Sequence, residues 1–240
     1  MLHIASYNIH RCVGMDGRCD VERVANVIRE LECDTIGMQE VDSHPSDRSD
    51  SMQLEYLAGA TGMQAVAGAT LIRHEGHYGN ALLTRRKILD VRRHDLSFRR
   101  FEPRGALQVQ LDVMGHPVEV FVMHLGLKPA ERRYQVQKVL ALLREIPMHE
   151  PVVVLGDINE WLPLGRPLRW LHSLLAKPPW ERTFPVWAPM FALDRVWVRP
   201  RGSLLDFQVH RSATARKASD HYPVKAVVYY EALPLREARA

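Results

Sequence analysis

The chain has 240 residues, 46% hydrophobic and 25% charged, with a formal net charge of +4 from 32 Lys and Arg against 28 Asp and Glu. A chain of this size and balance buries a substantial core in one domain without staples, and its three cysteines, odd in number and without metal-type spacing, argue against a disulfide framework or a zinc site. No stretch approaches the roughly 20 apolar residues of a membrane span, and residues 1–7 show no basic segment followed by a long apolar run, so the expectation is a cytoplasmic monomer with reduced thiols.

The first predicted strand is Leu2 to Ile9. Apolar residues then recur at Val21, Val24, Ala25, Ile28 and Leu31, one face of a helix, with Asp20 placed to accept from its free first-turn amides. Thr35 to Val41 reads as a short buried strand and Met52 to Ala60 as a second helix. The middle is strand-rich, with candidates at 64–72, 80–84, 88–96, 106–113 and 118–125, and Gly115-His116-Pro117 reads as a hairpin turn. A long helix is predicted from Pro129, which suits a first-turn position, to Ile146. Val152 to Leu155 is continuously apolar, the mark of a strand buried on both faces. A tryptophan- and proline-rich stretch follows from Trp161 to Met190, with a helix near 168–175. Strands at 193–198, 205–209 and 224–230 close the chain, leaving residues 1–230 as one domain and 231–240 as a C-terminal tail. Many strands and few helices predict an α/β (α+β) architecture, two packed sheets with helices outside.

Polar residues cluster where these strands end. Asn8 ends the first, Glu40 the second, His124 a middle strand, and Asp157 and Asn159 another; Asp194 opens a late strand, and Ser219-Asp220-His221 precedes the last. Read as extended chain, the spacing of two turns Asp157 and Asn159 to one side and Ile158 into the core. Charged groups at buried strand ends need a partner ion or a metal to offset desolvation. Carboxylate and amide oxygens are hard donors that suit Mg²⁺, with Mn²⁺ as a substitute, and Asn8, Glu40 and Asp220 fit such a site. His221 is the candidate base, with Asp194 chosen as the carboxylate that fixes its tautomer.

Seven segments carry a resemblance. They are Ser6-Tyr7-Asn8-Ile9-His10, Gln39-Glu40-Val41, Gly79-Asn80-Ala81-Leu82-Leu83, His124-Leu125, Gly156-Asp157-Ile158-Asn159, Leu193-Asp194-Arg195-Val196 and Ser219-Asp220-His221-Tyr222-Pro223. In this order, and spread over nearly the whole chain, they resemble the endonuclease/exonuclease/phosphatase (deoxyribonuclease-I-like) superfamily of metal-dependent hydrolases. The resemblance implies a four-layered sandwich with a pocket at one edge of two mixed β-sheets. It implies that Glu40, helped by Asn8 and completed by Asp220, holds the metal, and that His221 and Asp194 form the base dyad. It further implies that Asp157 and Asn159 orient the attacking water and hold phosphate or bind a second metal. His124 would meet the phosphoryl oxygens or assist the leaving group, and Arg104 and Asn80 would contact substrate.

The expected activity is Mg²⁺-dependent hydrolysis of a phosphodiester or phosphomonoester in a small molecule or lipid headgroup. The signal for this substrate is His124-Leu125-Gly126-Leu127 followed by Glu131-Arg132-Arg133-Tyr134-Gln135, which looks closer to bacterial hydrolases and sphingomyelinase-like members. AP endonucleases generally carry Tyr in place of His124, which argues against that activity. Nuclease action on DNA or RNA is the alternative, with Arg85-Arg86-Lys87, Arg92, Arg93, Arg99 and Arg100 as an electrostatic track; that run would equally meet an anionic membrane surface, and a solvated face is its favoured reading. A catalytically idle binding module is the third reading, disfavoured because no candidate catalytic position is lost. Trp161, Trp170, Trp180 and Trp187 read first as packing over a sheet and second as the wall of a substrate pocket or a lipid contact.

Overall fold

The computed structural model describes residues 1–46, 50–73 and 76–230. The predicted tail at 231–240 lies outside the described residues. In chain order the elements are β1 (Leu2–Asn8), α1 (Val21–Leu31), β2 (Thr35–Ser43), α2 (Gln53–Thr61), β3 (Gln64–Arg73), β4 (Gly76–Thr84), β5 (Lys87–Asp95), β6 (Gly105–Val113), β7 (His116–His124), α3 (Pro129–Glu145), β8 (Val152–Asp157), α4 (Arg166–Leu174), β9 (Asp194–Arg199), β10 (Leu204–Val209), α5 (Ala215–Ala218) and β11 (Val224–Val228). One sheet runs β10-β11-β1-β2-β4-β3 and the other β5-β6-β7-β8-β9. Among these strands only β1 with β2, and β7 with β8, pair in parallel.

Side-chain alternation sorts these strands into four layers. Leu2 and Ile4 of β1 and Val153 and Leu155 of β8 meet between the sheets. Tyr7 and Met38 face outward onto α1 and α2, where Val24, Ile28, Leu31 and Leu57 cover them. Val152 and Val154 face the opposite way, onto Val136, Val139 and Leu143 of α3 and Leu168 and Leu171 of α4. The result is helix, sheet, sheet, helix. The two sheets approach so closely at Gly37 that a Cβ there would run into the side chains of Leu155 and Val122.

Asp20 caps α1 as its position predicts, its carboxylate accepting from Arg23 N. The hairpin between β6 and β7 turns elsewhere than expected. Val113 pairs with His116, so Met114 and Gly115 form a two-residue turn, and His116 and Pro117 already belong to β7. Both turn residues have positive φ (59° and 85°), which matches the twist of the flanking strands. The histidine and proline signal a break where the backbone in fact has resumed pairing. The short helix α5 and a 3-10 turn at His10–Cys12 carry no periodic signal in the sequence.

Candidate active site

Topology brings the polar strand ends together. Because β1 and β2 run in parallel, as do β7 and β8, Asn8, His124 and Asp157 end their strands toward one edge of the sandwich. Glu40, expected to end the second strand, lies within β2, which runs on to Ser43 and turns the side chain to that edge at an irregularity in its pairing. Asp194 opens β9 directly opposite Asp157, its antiparallel partner. His221 sits just before β11, which runs antiparallel to β1. Ser219 ties that segment down: its hydroxyl donates to Asn8 O (2.7 Å) and accepts from His221 N (3.2 Å).

Two backbone features aim the carboxylates. On β2, Gln39 and Glu40 together stand opposite Asn80 alone, a β-bulge, and Glu40 adopts φ 58° there. A non-glycine residue in this left-handed region is costly and is held only by its surroundings. On β8, Gly156 has φ 145°, and a Cβ there would strike the Met123 carbonyl. This glycine lets the backbone run against β7 and turn Asp157 inward. The strand stops at Asp157, and Asn159 has φ 51°. The two residues therefore reach the same site by a sharp left-handed step, not along an extended strand; Ile158 is buried in the core as expected.

Asp157 Oδ2 is the meeting point. Asn8 Nδ2 donates to it (3.1 Å), His124 Nε2 lies at 3.5 Å and His221 Nε2 at 3.7 Å. Its other oxygen accepts from Asn159 N (2.9 Å). Asn8 Nδ2 also donates to Glu40 Oε1 (3.1 Å), so one amide links two carboxylates, while Asn8 Oδ1 accepts from His10 N (3.1 Å). His221 Nδ1 is 2.8 Å from Asp194 Oδ2, which also accepts from Thr183 Oγ1 (2.6 Å). Around His124, Arg104 Nη1 is 3.0 Å from Nδ1 and Asn159 Nδ2 is 3.0 Å from Nε2. Arg104 also pairs with Glu102 (3.3 Å).

This crowding sets the charges. Burial would favour neutral His221, but Asp194 and then Asp157 outweigh it and raise its pKa to about 10. Burial pushes Asp157 up to about 6, against the opposing pull of His221. His124 is held well below the usual histidine range, by burial first and then by Arg104 and His221. A neutral ring accepts from one of these two donors through its bare nitrogen, whereas an imidazolium accepts from neither. Tyr78 is raised by burial, with Glu40, Glu102, Arg104 and Arg11 as its charged neighbours.

A cleft of about 520 Å³ opens onto this centre. Glu40, Arg104, His124, Asp157, Asn159, Asp220 and His221 line it, and Asn8 and Asp194 are buried beneath, 1% exposed each. Asn80 is not among the lining residues. Its amide donates to Gly105 O (2.9 Å) and Val122 O (3.4 Å), stitching β4 to the facing sheet, so the structure gives it a structural task where substrate contact was expected. His10 adjoins the site: its Nδ1 is 3.0 Å from Val13 O and 3.8 Å from Asp220 Oδ1.

Other lining residues have no sequence signal. Arg11 sits in the 3-10 turn with φ 54°, and Tyr78 and Leu71 come from β4 and β3. Trp161 does shape the pocket wall, packed edge-on against Phe191 (4.5 Å) and Phe184 (5.9 Å); Phe184 in turn lies 4.7 Å from the His221 ring. Thr183 escapes sequence reasoning because a hydroxyl in an irregular stretch has no periodicity to betray it. The segment at 131–135 does not line the cleft. Arg132 forms a buried ion pair with Glu160 (3.2 Å) and donates to Leu127 O (2.7 Å), and Gln135 Oε1 accepts from Gly126 N (2.8 Å). The segment thus clamps the loop leaving His124 to the loop leaving Asp157.

The donor set fits a hard divalent cation. Glu40 and Asp220 offer partly exposed carboxylates at the cleft, and the Glu40 and Asp157 carboxylates converge on a single amide. To act as a ligand Asn8 would turn its oxygen toward them. The trio Asp157, Asp194 and His221, with ligand atoms all within 4.8 Å of one another, is also compact enough for a cation. There, however, Asp194 and His221 already share a short hydrogen bond, which a cation would break.

Four residues of the basic run are engaged by the protein itself. Arg86 pairs with Asp34 (2.6 Å), Arg85 donates to Cys33 O and Thr61 O, Arg92 pairs with Asp90, and Arg93 donates to Ala67 O. Because Thr84 pairs with Thr35 at the start of β2, residues 85–87 lie at the opposite edge of the sheet from the cleft. No helix among the described residues is long and apolar enough to cross a membrane.

Known proteins share this fold. The family model described as "Endonuclease/Exonuclease/phosphatase family" matches residues 5–221. The protein YbhP of Escherichia coli (strain K12) is 29% identical over 242 residues, covering 94% of this chain and 95% of that one. An endonuclease/exonuclease/phosphatase from Bacteroides vulgatus superposes with a TM-score of 0.79 at 18% identity, over 96% of this chain and 99% of that one. A mannosyl-6-phosphatase of Bacteroides thetaiotaomicron does so with a TM-score of 0.75 at 18% identity, over 96% of this chain and all (100%) of that one. At such identities the two structures speak for the fold.

Proposed function

The chain belongs to the endonuclease/exonuclease/phosphatase family, and from that premise we propose that it hydrolyses a phosphate ester, with Mg²⁺ as cofactor and Mn²⁺ as a substitute, by attack of a water that His221 deprotonates. The observation that carries the reading is the His221–Asp194 contact of 2.8 Å at a cleft edge shared with Glu40, His124, Asp157 and Asn159. Asp194 accepts the Nδ1 proton and so leaves Nε2 facing the cleft, as a base for water requires. Thr183 holds the Asp194 carboxylate in line. Neutral His124 and Asn159 stand beside Asp157 where phosphoryl oxygens or the leaving group would lie, and Arg104 supports the His124 ring. Glu40 and Asp220, with Asn8, would hold the cation; bound there, it would offset the carboxylate charge that keeps His221 protonated and draw charge from the phosphoryl oxygens.

The water oxygen adds to phosphorus, its proton passes to His221 Nε2, and the P–O bond to the leaving group breaks. Positioning and electrostatics supply most of the acceleration in such transfers. The substrate class we favour is a small phosphodiester or phosphomonoester, or a lipid headgroup. The mouth is lined by Leu127, Trp161 and Phe184 as well as by Arg11 and Arg104, which suits a partly apolar ester. The fold shared with a mannosyl-6-phosphatase is compatible with a monoester. The nuclease alternative loses part of its support, because residues 85–87 of the basic run lie at the sheet edge away from the cleft, with Arg85 and Arg86 hydrogen-bonded to the protein itself.

Turnover of an aryl phosphodiester and an aryl phosphomonoester with Mg²⁺ or Mn²⁺, with and without chelator, tests the reading. His221→Ala and Glu40→Gln are expected to lower kcat by about 10²-fold or more while the far-UV spectrum stays unchanged. Near-normal rates in both variants refute the site assignment, and absence of chelator-sensitive turnover favours a binding module. Nicking of supercoiled plasmid at low salt would restore the nuclease.

A further inference from the structure

The catalytic cleft opens beside a second hollow, of about 520 Å³, with which it shares Leu127 and Trp161. Part of its wall is the turn Trp161-Leu162-Pro163-Leu164-Gly165, whose leucines stand in solvent. Leu162 is 66% and Leu164 80% exposed, and Leu127 is 62% exposed. Large apolar residues gathered in one place are uncommon on a protein that meets only water. Nor is this turn loosely held. Gly165 N donates to Leu162 O (3.0 Å), Leu162 N donates to Glu160 Oε1 (3.2 Å), and Glu160 is fixed by its buried ion pair with Arg132. Desolvating that pair is costly, and what it secures is the base of a turn that presents leucines outward.

The charge around the leucines has one sign. Glu160 is the only carboxylate among the described residues lining this hollow, and Arg132 neutralises it. Arg133 and Arg166 line the same hollow without an ion pair among the described residues, and exposed Lys128 adjoins Leu127 in the chain. We propose that this face docks on an anionic lipid bilayer, the leucines entering the acyl boundary and the three cations meeting lipid phosphates. Trp161, wet on one side and packed on the other, suits the boundary itself. A second copy of this chain would bring the same positive rim against itself across a two-fold contact, which disfavours self-association here. Docking sets the cleft mouth at the headgroup layer; resting on the phosphoesterase reading, this makes a headgroup phosphate ester the substrate within reach.

Sedimentation with sucrose-loaded vesicles tests the docking without any turnover. Wild type is expected to pellet with mixed phosphatidylglycerol and phosphatidylcholine vesicles far more than with phosphatidylcholine alone, and to be released by salt. The double substitution Leu162→Ser and Leu164→Ser removes two inserting side chains outside the catalytic centre. It should weaken partitioning by at least about tenfold with thermal unfolding unchanged, and Arg133→Ala with Arg166→Ala should weaken binding to the anionic vesicles selectively. His221→Ala is expected to bind as wild type does, so docking and hydrolysis can fail separately. Wild type remaining in the supernatant, or the leucine variant pelleting like wild type, overturns the proposal. A concentration-dependent dimer that the leucine variant loses, with no vesicle binding, assigns the face to a second copy instead.

Discussion

At the scale of single residues, the site is a chain of hydrogen bonds in which one acceptor serves two donors. Asp194 Oδ2 accepts from both His221 and Thr183. Partners of this kind orient a functional side chain without touching substrate. Thr183→Val removes the hydroxyl but keeps the volume. We expect kcat on an aryl phosphodiester to fall by about ten- to a hundredfold, with Thr183→Ser restoring most of it. An unchanged rate in the valine variant would mean that Asp194 is held well enough without the hydroxyl. The opposite edge of the same sheet carries a different kind of ion pair. Burial alone would raise the pKa of Asp34, but the hydrogen bonds from Arg86 and His3 N outweigh it and hold the carboxyl below the ordinary range. A group depressed in the folded state adds stability above its unfolded pKa and loses it as pH falls through the folded one. Asp34→Asn should therefore cost about 1 kcal/mol near pH 7, an amount already discounted for partial exposure. In urea unfolding across a pH series, that difference should vanish well below about pH 4.

At the scale of elements, departures from regular strand pairing place the functional carboxylates. The β2 bulge and the close approach of β8 to β7 are each a local departure from regular pairing, and each sets a carboxylate at the cleft. Gly156→Ala would force a side chain toward the Met123 carbonyl at a φ that alanine rarely adopts. The expected loss is about 3 kcal/mol or more in urea unfolding, with reduced turnover in whatever remains folded because Asp157 shifts with the strand. Stability within about 0.5 kcal/mol, the range of an inconsequential substitution, would show that β7 can yield there. The clamp from α3 works on the same principle. Arg132 and Gln135 look in the sequence like members of an amphipathic helix, yet both are buried and hold the loops beyond β7 and β8.

At the scale of the whole molecule, the sandwich gathers negative charge at one edge, and a divalent cation is expected to relieve it. Binding to the folded state alone adds stability by mass action, about 2.7 kcal/mol at a hundred times the dissociation constant. Mg²⁺ or Mn²⁺ should therefore raise the unfolding temperature by several degrees, chelator should reverse the rise, and Glu40→Gln should abolish most of it. A flat response in wild type to both cations would remove the metal from the proposal. The amino-acid order by itself determined the alternation of buried and exposed strand faces, the cap at Asp20 and the polar residues standing where buried strands stop, because these depend on neighbours within a few residues. It held no sign of Arg11 or Tyr78 at the cleft, of Thr183 behind Asp194, or of Asn80 as a stitch between sheets, and the substrate track it offered as an alternative begins at residues 85–87, which the fold places at the far edge. Those outcomes depend on which strands lie side by side and in which direction. Only the tertiary structure decides that, since residues scores of positions apart become neighbours through the pairing of whole sheets.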